Sequence, residues 1–161
     1  MLNVSLSPVD VNQKQTFDNL YNLYLHDLET YLPNTHVDDT GFYDREVTNE
    51  LFEHVHNGVN LFFIRADGGI AGLLVHSSKP LAKEGCDYHI HEIFVLNEFK
   101  GKGVSLLACE ILFAEYKGKY ALSVLENNDR AMAFWDKIIP QVGTLVAKEL
   151  KEDMITFTFE T

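Results

Sequence analysis

The chain has 161 residues, 13 Lys+Arg against 24 Asp+Glu, and a formal net charge of -11. A chain of this size buries about 69% of its extended surface on folding, enough for one domain over residues 1–161 and too little for two. Its 46% apolar residues, with 11 Phe and 7 Tyr, exclude a disordered acidic chain, and the charge excludes a nucleic-acid binder, which needs a basic footprint. No apolar run nears the ~20 residues of a membrane span, and Met1–Val11 lacks the basic and apolar regions of a secretion signal, so no membrane partner is expected. Cys86 and Cys109 are too few for a disulfide framework, which makes the cytoplasm the expected compartment.

Leu2, Val4 and Leu6 alternate with polar residues, as in a short strand. From Asn12 to Leu32 the apolar positions, Phe17, Leu20, Tyr21, Tyr24, Leu25, Leu28 and Tyr31 among them, have amphipathic helical spacing, and Pro33 stops it. The polar stretch Pro33–Asp44 reads as a loop and Arg45–His56 as a second helix ended by Asn57-Gly58. Val59–Ala66 and Ile70–Ser77 are β-prone runs joined by Asp67-Gly68-Gly69, a hairpin signal. Tyr88–Leu96 reads as a strand, Gly103–Tyr116 as a helix, Tyr120–Leu125 as a strand and Asp129–Ile139 as a helix ended by Pro140. Val142–Ala147 and Ile155–Phe159 form a last hairpin around Lys151-Glu152-Asp153. This order implies the α/β class, with a mixed, mostly antiparallel sheet flanked by helices on both faces.

The segment after the fourth strand carries the chemistry. In Val95-Leu96-Asn97-Glu98-Phe99-Lys100-Gly101-Lys102-Gly103-Val104-Ser105 small residues allow a tight turn, and a helix begins at once. Exposed amides at a helix start attract an anion, and Lys100 and Lys102 add positive charge, so a phosphate-bearing ligand is expected there. The Gly-x-x-x-x-Gly-Lys-Ser/Thr of a nucleotide loop occurs nowhere, and hairpins replace the β-α-β opening of a dinucleotide fold.

This stretch resembles the acetyl-CoA-binding motif of the GNAT superfamily of N-acetyltransferases, Gln/Arg-x-x-Gly-x-Gly/Ala. Asn128-Asp129-Arg130-Ala131-Met132-Ala133-Phe134-Trp135-Asp136-Lys137 resembles its later Asn-x-x-Ala-x-x-Phe-Tyr-x-Lys helix. The element order matches over essentially the whole chain, and Glu92–Leu96 with Phe134-Trp135 resembles a bacterial acetyltransferase branch that implies no particular acceptor. The resemblance implies that the amides of Lys100, Gly101, Lys102, Gly103, Val104 and Ser105 hold the CoA pyrophosphate. It implies further that the backbone of Val95 and Leu96 faces the pantetheine arm and polarises the thioester carbonyl. Asn128 then binds the pantetheine or its neighbouring loop, and Ala131 and Phe134 pack on the cofactor. Lys100 stands where Gln or Arg is usual and Ser105 where Gly or Ala is usual; neither change removes an amide. Trp135 stands where many relatives have a Tyr that protonates the departing thiolate, and an indole N–H is no acid near neutral pH.

An alkylamine is mostly protonated at neutral pH, so attack on a thioester needs a base. His89-Ile90-His91-Glu92 precedes the motif. Strand alternation puts His89 and His91 on one face and Glu92 on the other, a bulge excepted. Arylalkylamine acetyltransferases of the superfamily carry a similar His-x-His, and other members use a Glu on this strand. His89, His91 and Glu92 are therefore the candidate proton relay. His54-x-His56 has no metal-site spacing, and no metal is expected.

The resemblance thus implies acetyl transfer from acetyl-CoA, as co-substrate, to an amine by direct attack. The N-terminal helices would border the acceptor. Residues 1–60 carry ten acids and two bases, Asp38, Asp39, Asp44, Glu46, Glu50 and Glu53 among them, which suggests a small cationic molecule or a peptide or protein amine. The rival is an acyl-CoA-binding sensor that has lost turnover, favoured by Trp135; transfer of a longer acyl group is a third reading. The oligomeric state is open, a homodimer included.

Overall fold

The computed structural model describes residues 1–161. Seven strands make one sheet: β1 (Val4–Pro8), β2 (Val59–Ala66), β3 (Gly69–Ser78), β4 (Tyr88–Val95), β5 (Lys119–Leu125), β6 (Thr144–Lys151) and β7 (Met154–Glu160). They lie in the order β1-β2-β3-β4-β5-β7-β6. Only β4 and β5 are parallel neighbours; every other pairing is antiparallel. The helices α1 (Lys14–Leu28), α2 (Glu46–Glu53), α3 (Val104–Glu115) and α4 (Asp129–Val142) cover both faces. This is the mixed sheet the element order implies.

Alternation along the strands builds two cores, one on each face. Phe62, Ile64, Leu74, Ile90 and Val95 point to one side, where Val104, Ala108, Leu112, Trp135, Ile138 and Ile139 of α3 and α4 meet them. Leu61, Phe63, Leu73, Val75 and Phe94 point to the other, against Phe17, Leu20 and Tyr21 of α1. Removing these side chains from water, at about 25 cal/mol per Å² of apolar area, fixes which residue faces which helix layer.

Several boundaries differ from the sequence expectation: α2 ends at Glu53 rather than His56, and β6 runs Thr144–Lys151 rather than Val142–Ala147. α1 ends at Leu28, and Glu29–Tyr31 continues as a turn. α4 runs through Pro140 to Val142 rather than stopping before it. Proline deletes a single helical bond there, and the last turn is held by Gly143 N–H on the Ile139 carbonyl (2.9 Å) and the Gln141 side-chain amide on the Lys137 carbonyl (2.9 Å).

Two glycines are dictated by packing, Gly143, whose Cβ would sit 2.2 Å from the Glu160 carbonyl oxygen, and Gly72. A Cβ at Gly72 in β3 would sit 1.9 Å from the Phe94 carbonyl oxygen of β4, so this strand crossing admits no side chain.

Candidate active site

The site begins where the sheet comes apart. β4 and β5 pair only over Tyr88–Ile90 with Tyr120–Leu122. Beyond that, β4 continues on β3 to Val95 and β5 on β7 to Leu125, and nothing bridges them. The gap opens a cavity of about 1030 Å³, walled by β4 and β5, the turn before α3, one side of α4, and the end of α1. Leu96 N–H donates to the Ala71 carbonyl of β3 (2.8 Å). By strand alternation the Val95 N–H points the other way, into the gap. Val95 lines the cavity and Leu96 does not. Leu96, expected beside a thioester, therefore has its amide already engaged.

The end of α1 is tied down on both sides of this opening. Lys100 Nζ meets Asp27 Oδ2 at 2.5 Å and Asn97 Oδ1 at 2.6 Å. On the far side Asn127 Nδ2 donates to the Tyr31 carbonyl at 3.1 Å.

Gly101 and Gly103 bracket the turn into α3 with φ of 76° and 78°, a region that L side chains rarely adopt. Neither has a neighbour within 4 Å of a built Cβ, so backbone conformation alone demands glycine. The Leu107 N–H closes the first helical turn on the Gly103 carbonyl (3.0 Å). The N–H groups of Val104, Ser105 and Leu106 have no acceptor within the protein, the arrangement that suits a phosphate oxygen. Gly101 and Ser105 lie on the cavity wall; Lys102, Gly103 and Val104 do not. Val104 is buried and anchors the helix start. The Lys100 charge, expected to serve an anion, is neutralised by Asp27, and Lys102 leans over the Phe99 ring at 5.9 Å. The cations on the wall outside that ion pair are Arg130 and Lys137 of α4.

β4 carries a bulge that reorders the candidate bases. Val75 pairs with Glu92 and His76 with Ile90, so His91 is an extra residue. Ile90 stays on the α3/α4 face, whereas Glu92, two residues on, joins Phe94 on the α1 face. The expected split, histidines on one face and Glu92 on the other, does not occur. His89, His91 and Glu92 all lie on the α1 side.

Their surroundings separate them. Glu92 lines the cavity, and its carboxyl is capped from α1: Tyr24 Oη donates to Oε2, and Tyr21 Oη to Oε1 at 3.2 Å. Some surface of the residue remains exposed, but the carboxyl group is enclosed, and burial raises its pKa to about 7 against the lowering effect of both hydroxyls. His91 also lines the cavity, with Nε2 2.8 Å from Ser77 Oγ; the residue is exposed overall, and desolvation on its sheet side lowers its pKa. His89 is off the wall, 4.6 Å from the His91 ring, and burial, His91 and Lys83 lower its pKa to about 4.

Asn128 caps α4, its Oδ1 accepting from Ala131 N–H at 3.0 Å, and this leaves the Nδ2 donors for the cavity. Ala131, Phe134 and Trp135 complete that wall. Trp135 is buried in the α3/α4 core, with its ring edge-on to Phe134 at 4.9 Å. Sequence reasoning passed over Tyr24, Tyr31 and Ser123, which also line the cavity. Tyr24 lay within a helical stripe that reads as core. Of the acids singled out near the acceptor side, Asp38, Asp39, Asp44, Glu46, Glu50 and Glu53, none is on the wall. Asp38 instead orders its own loop, accepting from Thr40 N–H (2.7 Å) and Phe42 N–H (3.1 Å).

A strand pair that opens onto a turn of free amides and a buried carboxylate defines an acyl-transferase class of site. The sequence profile of the Acetyltransferase (GNAT) family matches residues 17–139. The chain belongs to that family and is an acetyltransferase. No curated protein matches it by sequence. Its fold is shared by an acetyltransferase from Thermus thermophilus, at 17% identity over 99% of this chain and 98% of the other, TM-score 0.70. The apo RimL ribosomal L7/L12 alpha-N-protein acetyltransferase aligns at 14% identity over 100% and 96%, TM-score 0.67. The PaiA N-acetyltransferase of Thermoplasma acidophilum, crystallised with coenzyme A, aligns at 11% identity over 99% and 99%, TM-score 0.61. No helix is long and apolar enough to cross a membrane.

Proposed function

We propose that residues 1–161 act as one N-acetyltransferase domain that moves an acetyl group from acetyl-CoA to an amine by direct attack. The observation that carries this reading is the single cavity joining the amide turn before α3 to the buried Glu92 carboxyl. The residues present suit CoA. The free Val104, Ser105 and Leu106 amides match pyrophosphate oxygens, and Val95, Ala131 and Phe134 offer an apolar wall to the pantetheine arm. The Val95 N–H, turned into the gap, supports the thioester carbonyl as charge builds on its oxygen. Holding both reactants in one cleft converts a bimolecular attack into a local one.

Glu92 is the base in this reading. It lies on the wall, and a pKa of about 7 suits a group that must be ionised at rest and accept a proton in the transition state. His89 is off the wall and too weakly basic, and His91, exposed on the wall with its Nε2 bonded to Ser77 Oγ, serves to position the strand. Among the acids of residues 1–60, Asp27 and Glu29 line the cavity, Asp27 paired with Lys100, and the others act on an acceptor through the long-range field, which draws cationic amines at low salt.

The test is free CoA release from acetyl-CoA with spermidine, tryptamine and a peptide bearing a free N-terminus. Amine-dependent release supports transfer. Acetyl-CoA binding with no release from any of them points to the sensor that Trp135 favours.

A further inference from the structure

At Trp135 the phenol that would protonate the departing sulfur is replaced by an indole N–H, which does not ionise near neutral pH, on a side chain buried in the α3/α4 layer. A phenol on the cavity wall that is also bonded to the Glu92 carboxyl comes from α1. We propose that Tyr24 and Glu92 form one proton circuit, in which the carboxylate takes the proton of the attacking amine and the Tyr24 hydroxyl gives its own to the leaving thiolate. The proposal rests on the acetyl-transfer reading above.

Tyr24 belongs to neither motif. Its ring is wedged between Tyr21 (centroids 5.4 Å apart, planes at 72°) and Phe94 (5.9 Å, 51°), which fixes where the hydroxyl points. That hydroxyl donates to Glu92 Oε2, and both residues line the cavity. Tyr21 holds the other oxygen but is buried and off the wall. The carboxyl thus has one phenol facing the cavity and one facing the core. The groups that face it are Tyr21 and Tyr24 from α1 and His91 beside it on β4, with Asp44 acting on Tyr21 through its field.

The circuit is gated by charge. Burial and the adjacent carboxylate hold the Tyr24 phenol far above its ordinary value, so at rest it donates no proton. Once Glu92 accepts the amine proton, that negative charge is gone and the phenol is released from it. The amine nitrogen forms the C–N bond, and the C–S bond breaks with its electrons on sulfur. The Tyr24 Oη proton then passes to sulfur while the Glu92 proton passes to Oη. The products are an amide and a thiol, with Glu92 ionised and Tyr24 protonated as at the start, so no further acid is consumed. The transfer runs downhill, since a thiol near its ordinary value of about 8.5 holds a proton more tightly than Glu92 at about 7.

The experiment compares Tyr24→Phe and Tyr21→Phe with wild type, using acetyl-CoA and acetyl-seleno-CoA, whose selenolate departs without a proton. The acceptor is whichever of spermidine, tryptamine and the free N-terminal peptide turns over fastest; hydrolysis of the two donors, which needs the same proton on the same atom, replaces it if none does. Tyr24→Phe keeps the ring packing and should lower kcat with acetyl-CoA by about 10²-fold or more, the scale of a lost general acid. With acetyl-seleno-CoA its kcat should stay within about 3-fold of wild type, well under one such acid's contribution. Tyr21→Phe should move the pH limb set by Glu92 and treat both donors alike. Equal slowing of both donors by Tyr24→Phe, or no slowing of either, overturns the circuit and leaves acetyl transfer standing. A wild-type chain that releases no CoA by any route overturns both.

Discussion

His76 offers a clean reading of how this fold stores its response to acid. Its side chain is fully buried, boxed by the rings of Tyr88, Tyr116 and Tyr120 at 5.1, 4.9 and 5.9 Å. Nδ1 faces Asn60 Nδ2 at 3.2 Å, while Nε2 has no partner. Burial, with smaller contributions from His91 and His89, lowers its pKa from 6.5 to about 4. A histidine lowered on folding stabilises the native state fully above its unfolded value, and the benefit drains away as pH falls from about 6.5 to about 4. At about 1.4 kcal/mol per pH unit this one group removes on the order of 3 kcal/mol across the window. Glu92 works in the opposite sense. Raised from 4.5 to about 7, it disfavours the fold above 7 and relieves that penalty as pH falls toward 4.5. His89, also lowered to about 4, offsets Glu92, which leaves the slope of His76 exposed. Urea unfolding of wild type and His76→Phe between pH 7.5 and 4.5 measures it. The variant's stability should fall with acid more gently, by about 1.4 kcal/mol per pH unit below 6.5. Parallel curves would show that His76 is not buried neutral and would refute the argument.

Three further outcomes follow from the site. Glu92→Gln should cut kcat by about 10²- to 10⁴-fold and erase the limb near pH 7 in the rate profile, as followed by CoA release over pH 5.5–9. Gly72→Ala forces β4 away from β3, because the new Cβ meets a backbone carbonyl at 1.9 Å; a loss of about 1–3 kcal/mol in urea unfolding is expected, with weaker acetyl-CoA binding beside it. Lys100→Met, although it changes a motif lysine, should alter acetyl-CoA affinity by less than about 5-fold, because its charge already belongs to Asp27, an exposed type of pair worth about 0–1 kcal/mol. Isothermal titration of the variant decides that point, and a 50-fold loss would return Lys100 to the phosphate.

What the sequence made legible was whatever backbone conformation or local periodicity dictates. Gly101 and Gly103 announced the turn because no other residue adopts their φ easily, and the resemblance to the GNAT helix motif pointed to Asn128, Ala131 and Phe134, which do line the cavity. The parts that stayed hidden depend on contacts between distant segments. The bulge at His91 arises from the register of β4 on β3, and it overturned the alternation that had separated Glu92 from the histidines. The Lys100–Asp27 pair joins residues 73 apart. Tyr24 sits at an apolar helical position, and only the fold reveals that its hydroxyl reaches a carboxylate 68 residues away. Pro140 misled because proline is costly within a helix but tolerable in a last turn that side chains can mend.

The three residue pairs that join β4 to β5 have a mechanical meaning as well. With the Asp87 N–H on the Lys119 carbonyl (2.8 Å), they make the backbone seam between a four-strand plate, β1 to β4, and a three-strand plate of β5, β7 and β6. A molecule lying along the gap supplies the rungs that the ladder lacks, so occupancy and cohesion of the two plates are one equilibrium. At 100 times its Kd such a ligand adds about 2.7 kcal/mol to the fold. Amide exchange at Ile93, Val95 and Val124, whose strands border the seam, should slow on filling it more than at the outer strands β1 and β6.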